Sequence, residues 1–74
     1  MTGQIKKMLR EKMYGFIHAD KSSTEYFFHK SDLADSWDDT VNAFEMDGKV
    51  KVEFELAMSP KGPRAKNVRV VWPE

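Results

Sequence analysis

Apolar and polar side chains alternate with a period of two along this chain, and the pattern recurs in several short segments. The clearest case is 50–56, Val-Lys-Val-Glu-Phe-Glu-Leu, where each apolar residue but the last is followed by a charged one. A period of two is typical of β-strands with one buried face. The same signal, with aromatic and β-branched residues, predicts further strands at 3–9, 14–18, 25–29 and 66–72, the last ended by Pro73.

Five short strands within 74 residues predict an all-β fold, either an antiparallel barrel or a sandwich. We favour a five-stranded antiparallel barrel, because closing the sheet removes exposed strand edges. The segments 19–24 and 59–63 are rich in small, polar, Pro or Gly residues and are predicted to be loops. Residues 31–45 form the one region that could hold a helix, but they contain four aspartates. Residues 30–48 are long for a loop, and long loops in small domains often carry function.

A chain of 74 residues has room for one small core, and we expect 1–74 to form a single domain. The chain contains no cysteine, which excludes disulfides, zinc ribbons and thiol catalysis. No apolar run approaches the roughly 20 residues that a membrane span needs, so we expect no membrane contact. The first residues also lack the apolar core of a secretory signal.

The charge is balanced in total, with 12 basic and 12 acidic residues, but it is unevenly distributed. Residues 1–30 carry six cations and three carboxylates, residues 31–55 carry two and eight, and residues 56–74 carry four and one. If the two basic ends meet in the fold, one face is positive although the net charge is zero. The alternative is an ordinary solvated surface with scattered charges.

The predicted strands 14–18 and 25–29 can pair in a register that sorts their side chains onto two faces. On the outer face this register opposes Tyr14 with His29, Phe16 with Phe27, and His18 with Glu25. The residues predicted to fill the core are Ile5, Ile17, Tyr26, Phe28, Val52, Phe54 and Val68. Gly15 lies between the two outward rings of its strand, where a larger side chain would clash with the closed barrel.

An outward row of rings beside cations favours the binding of single-stranded nucleic acid. Bases stack on aromatic rings, and ammonium or guanidinium groups neutralise phosphates. The alternative is an apolar patch that binds another protein. A strand with a period of two cannot bury both faces in a small barrel, so these rings cannot all be core residues.

The two histidines are the remaining candidates for acid–base chemistry or metal binding. In the predicted register His18 and His29 lie at opposite ends of the hairpin, too far apart for a catalytic pair. No cysteine or third histidine accompanies them. We therefore expect no catalysis, metal or other cofactor. His29 is predicted to stack and hydrogen bond, and His18 to pair with Glu25 on the surface.

Three motifs in order make the chain resemble the cold shock domain family over nearly its whole length. They are Lys12-Met13-Tyr14-Gly15-Phe16-Ile17, Tyr26-Phe27-Phe28-His29-Lys30-Ser31 and Gly62-Pro63-Arg64-Ala65-Lys66-Asn67-Val68. The family pattern at these places is Lys-Gly-Phe-Gly-Phe-Ile, Val-Phe-Val-His-Phe-Ser and Gly-Pro-x-Ala-x-Asn-Val. RRM proteins share one such aromatic motif, but they need two helices and a partner motif that this sequence lacks. The resemblance is to a bacterial cold shock-like protein or an excised cold shock domain.

Three of the departures from the family pattern change the type of side chain. The family usually places Trp at Lys7, Phe at Lys30 and Gly at Met13. Two stacking rings are thus replaced by cations, which should shift affinity from stacking towards electrostatics and raise its sensitivity to salt.

The resemblance implies a five-stranded OB-fold barrel that binds single-stranded RNA or DNA with little sequence preference. It further implies a monomeric, non-enzymatic RNA chaperone or regulator in the cytoplasm, with RNA favoured over DNA. A small interaction or scaffolding domain with a weakened nucleic-acid face, within a larger protein, is the alternative. In the long segment the family supplies another ring, for which Trp37 is the first candidate and Phe44 the second. The predicted binding residues are Lys6, Lys7, Lys12, Tyr14, Phe16, Phe27, His29, Lys30, Trp37 and Arg64.

Overall fold

Five strands form a closed barrel in the computed structural model, which describes residues 1–72. The strands follow one another around the barrel in the order β1-β2-β3-β5-β4. Their bounds are β1 Thr2–Leu9, β2 Tyr14–Ala19, β3 Glu25–His29, β4 Val50–Ser59 and β5 Gly62–Val70. The predicted all-β, five-stranded OB-fold barrel is therefore confirmed, while the predicted strand end at Pro73 lies outside the described residues.

One of the strand contacts around the barrel is parallel, which corrects the expectation of a wholly antiparallel barrel. β3 meets β5 in parallel at Phe27 and Arg64, and an isolated parallel bridge joins Leu33 to Val68. The other four pairings are antiparallel. An odd number of strands cannot alternate in direction all the way around a ring, so one neighbouring pair must run the same way.

The hairpin of β2 and β3 has the register that the sequence predicted. Tyr14 lies opposite His29, Phe16 opposite Phe27, and His18 opposite Glu25. All seven predicted core residues are buried, namely Ile5, Ile17, Tyr26, Phe28, Val52, Phe54 and Val68. Because a shift by one residue would turn each side chain to the opposite face, this burial confirms the register.

The connection between β4 and β5 is shorter than the predicted loop over 59–63. The strands pair as far as Ser59 and Gly62, leaving only Pro60 and Lys61 between them. Gly62 has a positive φ of 119°, which a residue with a side chain rarely adopts, and its carbonyl accepts a hydrogen bond from Ser59 Oγ at 2.8 Å. Pro63 has no backbone N–H, but it is accommodated within β5. Gly62 pairs with Ser59 of β4, and the backbone nitrogen of the next residue points away from β4, so no hydrogen bond to β4 is lost.

A helix, α1 at Trp37–Asp47, occupies most of the segment that the sequence suggested as a long loop. The hydroxyl of Ser36 caps its first turn by accepting from the N–H of Asp39, and Gly48 ends it with φ 70°. Its inner face buries Trp37, Thr40 and Val41. No helix within residues 1–72 is long and apolar enough to cross a membrane.

The position of Trp37 corrects its assignment to the binding face. Only 6% of its surface is exposed, and its ring centroid lies 6.2 Å from that of Phe28 in the core. Phe44 is half-buried and packs against the same core. The helix turns Trp37 and Phe44 towards the core, so neither ring is presented with the outward rings of β2 and β3.

Met13 has a left-handed backbone, with a positive φ of 58°. A side chain in this conformation costs about 1–2 kcal/mol, which glycine avoids. Met13 is also exposed, and its backbone carbonyl accepts from the N–H of Lys30 at 2.8 Å, a bond that glycine would keep. We expect Met13→Gly to raise the free energy of unfolding by about 0.5–1 kcal/mol, after allowing for the extra entropy of glycine in the unfolded chain.

Urea unfolding followed by circular dichroism measures this change. Met58→Gly is the matched control, since Met58 is an exposed methionine within β4 with an ordinary backbone, where glycine should destabilise. Equal losses of stability in both variants would contradict the assignment of strain to Met13.

Candidate functional site

Three rings from β2 and β3 pack together on the outside of the barrel, and we call Tyr14, Phe16 and Phe27 the aromatic face. Their centroids lie 5.3 Å apart for Tyr14 and Phe27, 5.9 Å for Tyr14 and Phe16, and 6.0 Å for Phe16 and Phe27. Each ring is half-buried, so part of its surface remains open to solvent. Mutual packing holds the rings in place before any ligand arrives.

Gly15 allows the strands to approach closely beneath this face. A Cβ atom at Gly15 would lie 2.4 Å from the carbonyl oxygen of Lys7 and 2.9 Å from a ring carbon of Phe28. Both distances are shorter than a carbon atom tolerates, so only glycine fits without a shift of β1 or of the core. The predicted clash is confirmed, and Gly15 keeps β2 close enough to β1 to position Tyr14 and Phe16.

His29 extends the aromatic face at the end of β3, directly opposite Tyr14. It is half-buried and caps the 3₁₀ turn at Lys30–Asp32. Its Nδ1 accepts from the backbone N–H of Ser31 at 3.2 Å and also faces Ser31 Oγ at 3.2 Å. Because Nδ1 accepts, the neutral ring carries its proton on Nε2, which leaves an N–H donor at the other side of the ring.

Exposed lysines flank the aromatic face. Lys7 lies opposite Phe16 in the pairing of β1 with β2, and Lys30 directly follows His29. Lys12 is exposed in the turn that leads into β2. Within residues 1–72, no carboxylate lies within 4.0 Å of these three ammonium groups. Their charges are available to an anion.

Lys6 differs from the other lysines because it is already paired. Its Nζ lies 2.7 Å from Glu25 Oε2, and this hydrogen bond and charge lower the pKa of Glu25. His18, which lies opposite Glu25, contributes only a smaller electrostatic lowering of that pKa. Glu25 therefore has two partners on the surface. His18 faces it across the hairpin, as expected, and Lys6 from β1 forms the ion pair, which partly neutralises Lys6.

A cleft of about 490 Å³ opens beside the aromatic face, where β3 meets β5 and the hairpin of β4 and β5 rises above it. Its lining consists of Phe16, Phe27, Ser59, Pro60, Lys61, Pro63 and Arg64. Sequence reasoning included Arg64 but missed Pro60, Lys61 and Pro63. The Pro and Gly residues of 59–63 predict a turn, but only the closure of the barrel brings that turn next to Phe27.

Arg64 is held in this cleft by a carboxylate. Its Nε and Nη2 lie 3.0 Å and 2.8 Å from Oδ2 of Asp32, and the same oxygen accepts the backbone N–H of His29 at 3.0 Å. Asp32 therefore connects the cleft to the end of the aromatic face.

The two histidines lie at opposite ends of the hairpin, since His18 faces Glu25 and His29 faces Tyr14. Among residues 1–72, no group of three or more His, Asp and Glu side chains is placed to hold a metal ion. This surface combines a cluster of rings, exposed lysine charges and an arginine held by a carboxylate.

Comparison with known proteins gives a consistent result. The model of the 'Cold-shock' DNA-binding domain matches residues 1–71. A cold shock-like protein of Aquifex aeolicus is 36% identical over 69 residues, which are 93% of this chain and 91% of that protein. A probable cold shock protein A of Mycolicibacterium smegmatis is 36% identical over 93% of this chain and 96% of its own length. A cold shock-like protein of Bordetella pertussis is 32% identical over 95% of this chain and 97% of its own length.

Proposed function

The chain belongs to the cold-shock DNA-binding domain family, and from this premise we propose that it is a non-enzymatic module that binds single-stranded RNA or DNA. The observation that carries the proposal is the aromatic face, with its three packed and partly open rings beside exposed lysines. A duplex hides its bases from such a surface, whereas a single strand can lay them on the rings.

In this mechanism Tyr14, Phe16 and Phe27 stack successive bases, each contributing about 1–3 kcal/mol. His29 adds a further ring with an Nε2–H donor. Lys7, Lys12 and Lys30 neutralise phosphates and release counterions, and Lys6 does so to a smaller extent because Glu25 competes for it. Stacking requires no particular base, so most of the bound strand is accepted with little regard to sequence.

In the cell we propose that the chain acts as a monomeric RNA chaperone or regulator in a bacterial cytoplasm, with RNA preferred over DNA. The bacterial cold shock proteins that resemble it along nearly their whole length support this role. Its aromatic face is smaller than the family pattern implies, and its lysines are correspondingly prominent. We therefore expect it to release its ligand more readily as salt rises.

Fluorescence anisotropy with end-labelled oligouridine and oligothymidine across a salt series tests the proposal. We expect binding to both single strands and weaker binding to a duplex of the same length. The label should be on the nucleic acid, because buried Trp37 reports the fold rather than the ligand. If neither single strand bound even at low salt, the proposal would be wrong and the alternative of a protein-interaction domain would be favoured.

The lysines at family ring positions allow a sharper prediction. Each ammonium that neutralises a phosphate on a single strand contributes about 0.7 to the slope of log affinity against log salt. We expect Lys7→Trp with Lys30→Phe to flatten this slope by about 1.4 and to raise affinity at high salt, since stacking is less sensitive to salt.

The control variant is Lys51→Trp, which adds a ring on β4 opposite Gln4, outside the aromatic face. It should leave affinity at high salt unchanged. Equal effects of Lys51→Trp and the double variant would show that an added ring binds nucleic acid anywhere on the barrel. Binding by the double variant alone, with none by the original chain, would show that the face has lost its function here.

A further inference from the structure

Arg64 differs from the exposed lysines, because a carboxylate holds its guanidinium group in a geometry that does not suit a simple phosphate contact. The parallel pairing of β3 with β5 sets it beside Phe27, and it lines the cleft that Phe16, Pro60 and Pro63 also form. A flexible lysine can follow a phosphate, whereas Arg64 is fixed to one wall of this cleft. The question is what a fixed guanidinium recognises there.

The anchoring of Arg64 uses one edge of its guanidinium group. Nε and Nη2 both donate to Oδ2 of Asp32, at 3.0 Å and 2.8 Å. Asp32 is itself held, because its Oδ2 accepts from the N–H of His29 and its side chain is only 11% exposed. Arg64 is 38% exposed, so the guanidinium points from a buried carboxylate towards solvent. The edge formed by Nη1 and the second hydrogen of Nη2 remains available.

This arrangement weakens the attraction of Arg64 for phosphate but keeps its directional donors. At longer range, the negative charge of Asp32 cancels the positive charge of Arg64. A phosphate that approached Arg64 would also be repelled by the carboxylate of Asp32. A neutral acceptor is not penalised in this way. The cleft walls are two rings and two prolines, which are flat and apolar and therefore suit a planar base better than a hydrated phosphate.

We propose that the cleft holds one guanine of the bound strand, and that Arg64 selects it by donating from its free edge to O6 and N7. Guanine presents two neighbouring acceptors, O6 and N7, on its Hoogsteen edge, and the paired donors of arginine match them. Adenine places an N–H donor beside N7, and uracil and thymine lack a pair of neighbouring acceptors. Cytosine presents O2 and N3 side by side only on its Watson–Crick edge, so the proposal requires a hexauridine with one central cytosine to bind more weakly than the guanine strand. This proposal rests on the proposed function: Phe27 stacks the base, Arg64 reads its edge, and Lys61 is close enough to the cleft to meet a phosphate.

Asp32 acts as a positioning residue in this scheme. It touches no nucleic acid, but it fixes the plane of the guanidinium so that the free edge faces the cleft. It also joins the cleft to His29, so that the position of the guanine is set relative to the rest of the aromatic face.

The experiment compares hexauridine with variants that carry guanine, adenine, inosine or 7-deazaguanine at a single central position, by competition anisotropy at one salt concentration. We expect the guanine strand to bind about tenfold more tightly than the adenine strand. Inosine keeps O6 and N7 and should bind like guanine. The 7-deazaguanine base lacks N7 and should lose most of the preference. These probes need no change to the protein, so folding does not affect them.

The variant Arg64→Lys keeps the charge and removes the paired donors. It should lower the preference for guanine over adenine at least threefold, because an ammonium group cannot donate two parallel, coplanar hydrogen bonds. Asp32→Asn releases Arg64, and it should reduce the preference and steepen the salt slope by about 0.7, as the freed charge finds phosphate.

Equal binding of the guanine and adenine strands by the original chain would overturn the proposal, while binding to hexauridine would still support the proposed function. An undiminished preference for guanine in Arg64→Lys would also overturn it, because the paired donors of the guanidinium would then not be what selects the base. Failure of every strand to bind would reject the proposed function itself.

Discussion

Phe28→Ala is expected to lower the free energy of unfolding by about 3–5 kcal/mol, which makes it the most destabilising of the substitutions considered. Phe28 is fully buried and its ring packs against Trp37, with centroids 6.2 Å apart. Its ring also fills the space directly beneath Gly15, so its loss leaves a cavity between the barrel and α1. A chain of this size has a total stability of only roughly 4–11 kcal/mol, so the substitution removes a large share of it.

Phe27→Ala provides the matched control, because it removes the same side chain from the neighbouring position on the opposite face of β3. Its ring is half-buried, so we expect a loss of about 1 kcal/mol. Urea unfolding with circular dichroism measures both variants, with a lower temperature for Phe28→Ala if it is partly unfolded. A larger loss in Phe27→Ala than in Phe28→Ala would contradict the register of the hairpin.

The largest expected effect on binding comes from removing two rings of the aromatic face. Phe16→Ala with Phe27→Ala should weaken single-strand binding by about 2–6 kcal/mol in total, since each ring stacks a base at about 1–3 kcal/mol. Such a loss would move the Kd of a micromolar complex to between roughly 30 μM and 25 mM. The two rings contact each other with centroids 6.0 Å apart, so the double variant need not equal the sum of the singles.

Anisotropy titration measures this loss, and circular dichroism verifies that the barrel remains folded. Trp72→Ala is the control for a partly exposed ring outside the aromatic face, where Trp72 Nε1 donates to Asp35 at 3.2 Å. It should change affinity less than twofold. Undiminished binding by the double variant would sink the stacking mechanism, because Phe16 and Phe27 are two of the three packed rings.

Local signals in the sequence mark both ends of the helix α1. Ser36 followed by Asp39, and Gly48 after the last turn, are recognisable start and stop signals. Aspartates disfavour the interior of a helix, but Asp38 and Asp39 lie in the first turn, where the positive end of the helix dipole favours carboxylates. Once the helix forms, Trp37 must face the barrel, which removes it from the binding surface.

The alternation of side chains determined which rings face outwards. Neighbouring residues along a strand point to opposite faces, so placing Ile17 in the core determines the face of each remaining side chain in β2 and, through the pairing, in β3. Phe27 and Phe28 could therefore be separated from the sequence alone, and Gly15 could be assigned its steric role. These are local properties of two strands joined by a short turn.

The cleft, by contrast, was decided only by the tertiary structure. Phe27 and Arg64 are far apart in the chain, and they meet because a ring of five strands must contain one parallel pair. The same closure brings Asp32 to the guanidinium of Arg64. The position of β1 in the barrel likewise brings Lys6 to Glu25. No periodicity encodes such contacts, since the local pattern of a strand determines which side chains face outwards but not which distant side chains become their neighbours.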